Sequence, residues 1–223
     1  MTLIGLFGIN CSGKDTVIRK MQELDKTVLF VRSSKVFMLA MGYDVDPLSP
    51  EVPKKECYVA LENLSQSEAD FITDNYFPKY LRALKNINPK IIATFHVVLL
   101  KRDRLKKLNL YIEKQRDWYK TVLDGAAYLT ANLDSIWRRR HNYDERDRGQ
   151  FTIDEVGLQL SAANREWDRL VITQFKGRIP YCEIYNSDSF VATDNEKKVV
   201  ESAQLVINFM NQIRNGSSGG DNV

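Results

Sequence analysis

The sequence is poor in the residues that build disulfide and metal frameworks. It has three cysteines in 223 residues, Cys11, Cys57 and Cys182, and two histidines, His96 and His141. The cysteines are odd in number, far apart and without a Cys-x-x-Cys pair, which excludes a disulfide scaffold and leaves reduced thiols as the expectation. With only two histidines they do not fall at zinc-ligand spacings. No apolar run approaches the ~20 residues of a membrane span. Residues 1–7 are too short for a secretory leader, so the expected location is cytoplasmic and no membrane partner is expected. An excess of one charge is missing as well: 32 basic residues face 29 acidic ones, a net charge of +3. That balance argues against a nucleic-acid partner, and any basic site has to be local.

What is there is an alternation of apolar runs and amphipathic segments. The hydrophobic share is 43% and the charged share 27%, values that suit one packed domain. Residues 2–7 read as a buried strand, 15–24 as a helix and 27–32 as a second strand. A turn-rich stretch over 42–53 precedes a helix starting near Ser65, whose spacing to Glu68 is that of a capping box. Pro78 is expected to interrupt or kink that helix. Residues 90–100 read as a third strand, followed by charged, helix-prone sequence to 122. Residues 126–131 read as a fourth strand and 133–140 as a helix. Thr152 and Glu155 form another capping pair, opening a helix with Ile153, Val156, Leu160, Ala163, Trp167 and Leu170 on one stripe. Residues 181–185 read as a fifth strand, and Thr193 with Glu196 cap a last helix. Strands alternating with helices imply an α/β fold with a parallel sheet covered on both faces. The expected organisation is a single domain over 1–214 and a Gly/Ser-rich flexible tail over 215–223.

The strongest chemical signal is Gly8-Ile9-Asn10-Cys11-Ser12-Gly13-Lys14-Asp15-Thr16, set between a strand and a helix. Glycines let successive amides turn toward phosphate oxygens, the helix N-terminus adds partial positive charge, and Lys14 brings a mobile ammonium. This spacing predicts a grip on a nucleoside triphosphate through Gly8, Asn10, Cys11, Ser12, Gly13, Lys14, Asp15 and Thr16. The position after the lysine, where a hydroxyl usually meets magnesium, is Asp15, and Thr16 comes one residue later. Both are candidate Mg2+ contacts.

A second signal is five arginines within eleven residues, Arg138, Arg139, Arg140, Arg146 and Arg148. Phosphoryl transfer spreads negative charge over the moving group, and planar guanidinium forks suit it. A mobile loop can bring such cations in and exclude water, so 138–150 reads as a lid. His96 ends the third strand, on the edge where ligands bind in such sheets.

Taken together, these motifs resemble the P-loop nucleoside monophosphate kinases, and most closely the archaeal-type adenylate kinases. The likeness runs from Leu3 to about Ile213. Besides the loop, it rests on Thr94-Phe95-His96, similar to the family's Asp-Thr-His, and on Arg138-Arg139 followed by Arg146-Asp147, similar to its lid. Asn164-Arg165 and the turn Asn186-Ser187-Asp188 also match. The resemblance implies a three-layer P-loop NTPase fold with a five-stranded parallel sheet and a short arginine-rich lid. It implies ATP and Mg2+ as donor, a small-molecule acceptor (a nucleoside monophosphate, AMP by default), and an acceptor-binding insert over about 31–85. Lys14, Arg138, Arg139, Arg146 and Arg148 are then the catalytic candidates, Asn186 a nucleotide contact, and Ser34, Lys35 and His96 the acceptor contacts. Three positions depart from the pattern: Thr94 replaces the strand-end Asp, Glu62 stands where an acceptor-binding arginine is expected, and 101–107 is basic where a Gly/Pro loop is usual. Two other readings stay open: a kinase for another small metabolite or (deoxy)nucleoside, and a regulatory ATPase with weak turnover. A homo-oligomer is also left open.

Overall fold

A computed structural model describes residues 1–49, 51, 53–102, 108–112, 116–142, 151–188 and 192–216. Among the described residues, seven strands fall in two sheets. The central sheet contains β1 (Thr2–Gly8), β2 (Val28–Val31), β3 (Lys90–His96), β6 (Gly125–Thr130) and β7 (Tyr181–Tyr185). Its order is β2-β3-β1-β6-β7, and every pairing is parallel. The expected five-stranded parallel sheet is therefore present, with β1 in the middle. A separate antiparallel hairpin joins β4 (Val98–Arg102) to β5 (Leu108–Ile112).

The helices are α1 (Lys14–Leu24), α2 (Ser33–Ala40), α3 (Lys55–Asn63), α4 (Gln66–Phe71), α5 (Phe77–Lys85), α6 (Tyr119–Val122), α7 (Leu133–Asn142), α8 (Ile153–Leu170) and α9 (Ala192–Gly216). Both central capping boxes form: Ser65 Oγ accepts from Glu68 N, and Thr152 Oγ1 accepts from Glu155 N. The helix α9 starts at Ala192, ahead of the expected Thr193 cap, and runs through Asn215 and Gly216 into the stretch read as tail. The rest of that tail, 217–223, lies outside the described residues.

Alternation along the buried strands splits the core in two. Leu3 and Phe7 of β1, with Ile91, Ala93 and Phe95 of β3, face a layer built by α5, α6 and α8. Ile4 and Leu6, with Ile92, Ala127 and Leu129, face α1 and α9 through Val17, Ile18, Met21, Ala203, Val206 and Met210. The first layer is aromatic at its centre, where Phe7 meets Phe95, Tyr119, Trp167 and Phe175 at ring separations of 5.1–5.8 Å.

Two sequence expectations are corrected. The run 90–100 is not one strand: β3 leaves the central sheet after His96, and Val98 starts the hairpin. The helix-prone stretch 101–122 supplies β5 and only one short helix, α6. Leu108, Leu110 and Ile112 alternate with polar or aromatic neighbours at a strand's period of two, and long-range pairing with 98–102 overrides local helix propensity. The helices α2 and α3 went unread because each is short and buries few side chains. Pro78 is the opposite case. The chain inserts a π-helical turn, Ile72–Tyr76, with Phe77 N donating to Ile72 O, and Pro78 then sits in the first turn of α5, where its missing N–H is tolerated.

At the edge of the sheet opposite the loops, Lys90 Nζ donates to Asp25. This bond, with help from Thr27, holds the Asp25 carboxyl down at about 2. A depressed carboxylate stabilises the fold above its unfolded pKa of ~3.9 and loses that contribution as pH falls toward the folded value. The stability gap between wild type and Asp25→Asn, of order 1–2 kcal/mol near neutrality, is expected to close between about pH 4 and pH 2 in urea titrations. In the core, Phe7→Ala is expected to cost about 3–5 kcal/mol by the same measurement.

Candidate active site

The site grows out of the end of β1. Gly8 is the last residue of that strand and lies opposite His96 in the parallel register, so the carboxyl ends of the two central strands meet at the loop. A Cβ at Gly8 would come within 2.5 Å of Leu129 O and 2.9 Å of Ser12 Oγ, which is why the chain needs glycine there. Gly13, at φ +96°, is the left-handed residue that turns the loop into α1. Cys11 is also left-handed, at φ 62°. Lys14 is the first residue of α1; it is 6% exposed, and its Nζ donates to Ile9 O at 2.7 Å. Ser12 is fully buried, and its Oγ has no hydrogen-bond partner among the described residues. A buried donor beside a lysine and a helix N-terminus is suited to an anion. Asp15 and Thr16 follow on the exposed side of the first turn. Their hard oxygen donors fit a magnesium ion that takes its other ligands from phosphate and water.

The outer side of the loop is gripped by α7. Asn132 Oδ1 accepts from Ser135 N and so caps the helix start. Arg139, near the other end, places its guanidinium between the loop and the turn after β7. Its NH1 donates to Ser12 O at 2.9 Å and Cys11 O at 3.4 Å. Its NH2 donates to Asn186 O at 2.7 Å and Asp188 Oδ1 at 2.6 Å, and its Nε donates to Asp188 Oδ1 at 3.0 Å. Asn186 closes the group, with Nδ2 donating to Ser12 O at 3.2 Å. Arg140, 2% exposed, donates to Gln159 Oε1 and, at 3.5 Å, to Asn10 O. Gln159 in turn donates to Val98 O at 2.7 Å, tying the hairpin to α8.

These placements divide the arginines read as a lid. Arg139 is anchored at the base of the loop. Arg138 lies on another face of α7 and pairs with Asp134 at 2.6 Å. Arg146 and Arg148 lie outside the described residues. Asn186 is at the loop, beside Gly13. Gln159 was missed, and Arg140 and Asp188 were read only as members of the arginine segment and of the turn 186–188, not as contacts of the loop. For Asp188 the available signal was the polar Asn-Ser-Asp turn directly after a buried strand.

The acceptor-side candidates sit on the same edge of the sheet. Ser34 and Lys35 belong to α2, directly after the edge strand β2. Lys35 is 2% exposed, and its ammonium donates to Ser49 O at 2.7 Å and Asp46 O at 3.2 Å. Burial, and then the neighbouring Arg32 charge, push its pKa below the usual lysine value. Glu62 falls in α3, but its side chain lies outside the described residues. A cleft of about 360 Å³ between α2 and α4 is lined by Ala40, Met41, Leu64, Ser67, Glu68, Phe71 and Ile72. It shares no residue with the loop and no cation lines it, which suits it poorly to a phosphate chain. Among the described residues, no cluster of three or more His, Cys, Asp or Glu side chains forms a metal site.

Gly13→Ala would place its Cβ 2.4 Å from Asn186 Nδ2 and 3.2 Å from Arg139 NH1. At Gly42, also left-handed at φ +89°, a Cβ meets nothing within 4 Å. Both substitutions strain the backbone by about 1 kcal/mol, and Gly13→Ala is expected to cost about 1–3 kcal/mol more in urea unfolding because it also displaces the clamp.

No protein-family model and no curated protein matches the chain. Solved structures do. A shikimate kinase from Bacteroides thetaiotaomicron superposes with a TM-score of 0.55 at 11% identity, over 92% of this chain and 98% of that one. A shikimate kinase from Acinetobacter baumannii in complex with shikimate gives 0.49 at 17% identity, over 95% and 94%. A deoxyadenosine kinase from M. mycoides gives 0.48 at 12% identity, over 95% and 100%. The first of these, with the strand order and the loop between β1 and α1, gives the chain the fold of the P-loop kinases.

Proposed function

We propose that the chain is an ATP-dependent phosphotransferase that moves the terminal phosphoryl group to a small phosphorylated acceptor, a nucleoside monophosphate with AMP as the default. The observation that carries this reading is the loop itself: a glycine turn, a buried lysine and a buried hydroxyl with no partner among the described residues, all at the N-terminus of α1 and the end of a central parallel strand. Lys14 and the loop amides would hold the β- and γ-phosphates. Asp15 and Thr16 would hold magnesium, which neutralises charge on the phosphate chain. Arg138, Arg146 and Arg148 would supply cations to the moving group, and residues 31–85, with Ser34 and His96, would form the acceptor side. An acceptor phosphate is already anionic near neutral pH and needs no general base. That suits a β3 end carrying Thr94 and His96 in place of a carboxylate.

One observation favours a second reading. The Lys35 ammonium is committed to two main-chain carbonyls, which leaves it poorly placed for an acceptor phosphate. A kinase for an uncharged acceptor, a nucleoside or small metabolite, fits that arrangement. A coupled assay for ADP formation across nucleoside monophosphates, nucleosides and small metabolites separates the two. Acceptor-dependent turnover is expected, and Lys14→Ala is expected to lower kcat/KM by about 10²–10³-fold. Slow hydrolysis indifferent to every acceptor would overturn both readings.

A further inference from the structure

A trans peptide points the carbonyl of one residue and the N–H of the next in opposite directions. In residues 10–12, three consecutive carbonyls face α7: Asn10 O toward Arg140, and Cys11 O and Ser12 O toward Arg139. The N–H groups of Cys11, Ser12 and Gly13 are thereby turned the other way. Ser12 N–H shows this directly: it donates to Ile9 O at 3.4 Å, the same oxygen that accepts from Lys14 Nζ. The amides and the ammonium therefore converge on one side of the loop, and the arginines hold its back.

The guanidinium that does this is itself held. Asp188 takes three of the Arg139 contacts, from Nε and NH2. Its own backbone N–H donates to Ser135 Oγ at 2.8 Å, and Ser187 Oγ accepts from Asn132 N at 2.8 Å. The turn 186–188 is thus docked on the start of α7, and Arg139, from the same helix, closes the ring. Every N–H group of the Arg139 fork meets a protein acceptor.

We infer that Arg139 and Asp188 are positioning residues for the phosphate loop. They keep its amides aimed at an anion through the loop carbonyls and do not themselves touch the transferred group. The inference rests on reading residues 8–16 as the nucleotide-phosphate site. It assigns Arg139 a role different from that of an arginine closing over the substrate. Preorganised amides bind an anion without first reorienting, so loss of the clamp lowers affinity for any phosphate chain, whatever the base attached.

Isothermal titration of the full chain with inorganic pyrophosphate tests this, on wild type, Lys14→Ala, Arg139→Gln, Arg139→Lys and Asp188→Ala. Circular dichroism and thermal midpoints establish that each variant is folded. Arg139→Gln and Asp188→Ala are both expected to weaken pyrophosphate by about tenfold or more, since each removes charge-assisted hydrogen bonds from the clamp. Arg139→Lys is expected not to restore affinity, because an ammonium cannot span two carbonyls and a carboxylate together. The decisive variant is Asp188→Ala. If Arg139 bound phosphate directly, freeing it from Asp188 would leave affinity unchanged or raise it, and that result overturns the inference. So does wild-type affinity in Arg139→Lys, or a lowered midpoint with unchanged affinity in Arg139→Gln. If Arg139→Gln does not fold, Asp188→Ala together with Asn186→Ala carries the test. Wild type that binds no pyrophosphate, with Lys14→Ala indistinguishable from it, overturns the phosphate-site reading itself. Wild-type binding lost in Lys14→Ala but kept in Asp188→Ala overturns the clamp alone.

Discussion

A loop that turns its amides inward has to turn its carbonyls outward, and buried carbonyls need donors. That constraint organises the centre of this molecule. The carbonyls of residues 10–12 emerge at the carboxyl end of β1 and face α7, where Asn10 and Cys11 are half-buried and Ser12 is buried, so water satisfies them only in part. Two consecutive arginines at the end of α7 and the Asn186 amide supply the donors instead. The placement of α7, the docking of the turn after β7, and the need for glycine at 13 all follow from that one requirement.

The same requirement changes what the arginine-rich segment is. A run of guanidinium groups before a polar loop invites one reading for all its members, yet the chain uses them separately. Arg139 and Arg140 are more than four-fifths buried and face the loop from behind. Arg138 turns to the helix surface and pairs within its own helix. Adjacent residues on a helix point about 100° apart, so three neighbouring arginines cannot share one target. The acceptor side shows the same economy, with Lys35 holding the loop after α2 through two carbonyls.

The layers around the site follow simpler rules. One face of the sheet is mainly aliphatic against α1 and α9; the other is aromatic around Phe7. The position of the loop depends on both, because Gly8 follows Phe7 directly and the strand beneath it is fully buried. The hairpin β4–β5 adds a further support, linked through Gln159 to Arg140 and so to the loop.

Much of this was legible in the residue order. The loop between β1 and α1, all five central strands, two of the three capping pairs and the helical stripe of α8 rest on spacings of two to four residues, and such local patterns survive folding. The sequence by itself therefore determined an α/β architecture with a glycine-rich, lysine-bearing loop at its centre. It did not reveal the antiparallel pairing of β4 with β5, or the short helices α2 and α3. Nor did it reveal what Arg139 does. Its partners Ser12 and Asp188 lie 127 and 49 residues away along the chain, and Asn186 reaches Ser12 across 174. Tertiary structure alone decided that an arginine of the apparent lid would hold the loop from behind, because only the packed sheet brings those carbonyls, that carboxylate and that helix together.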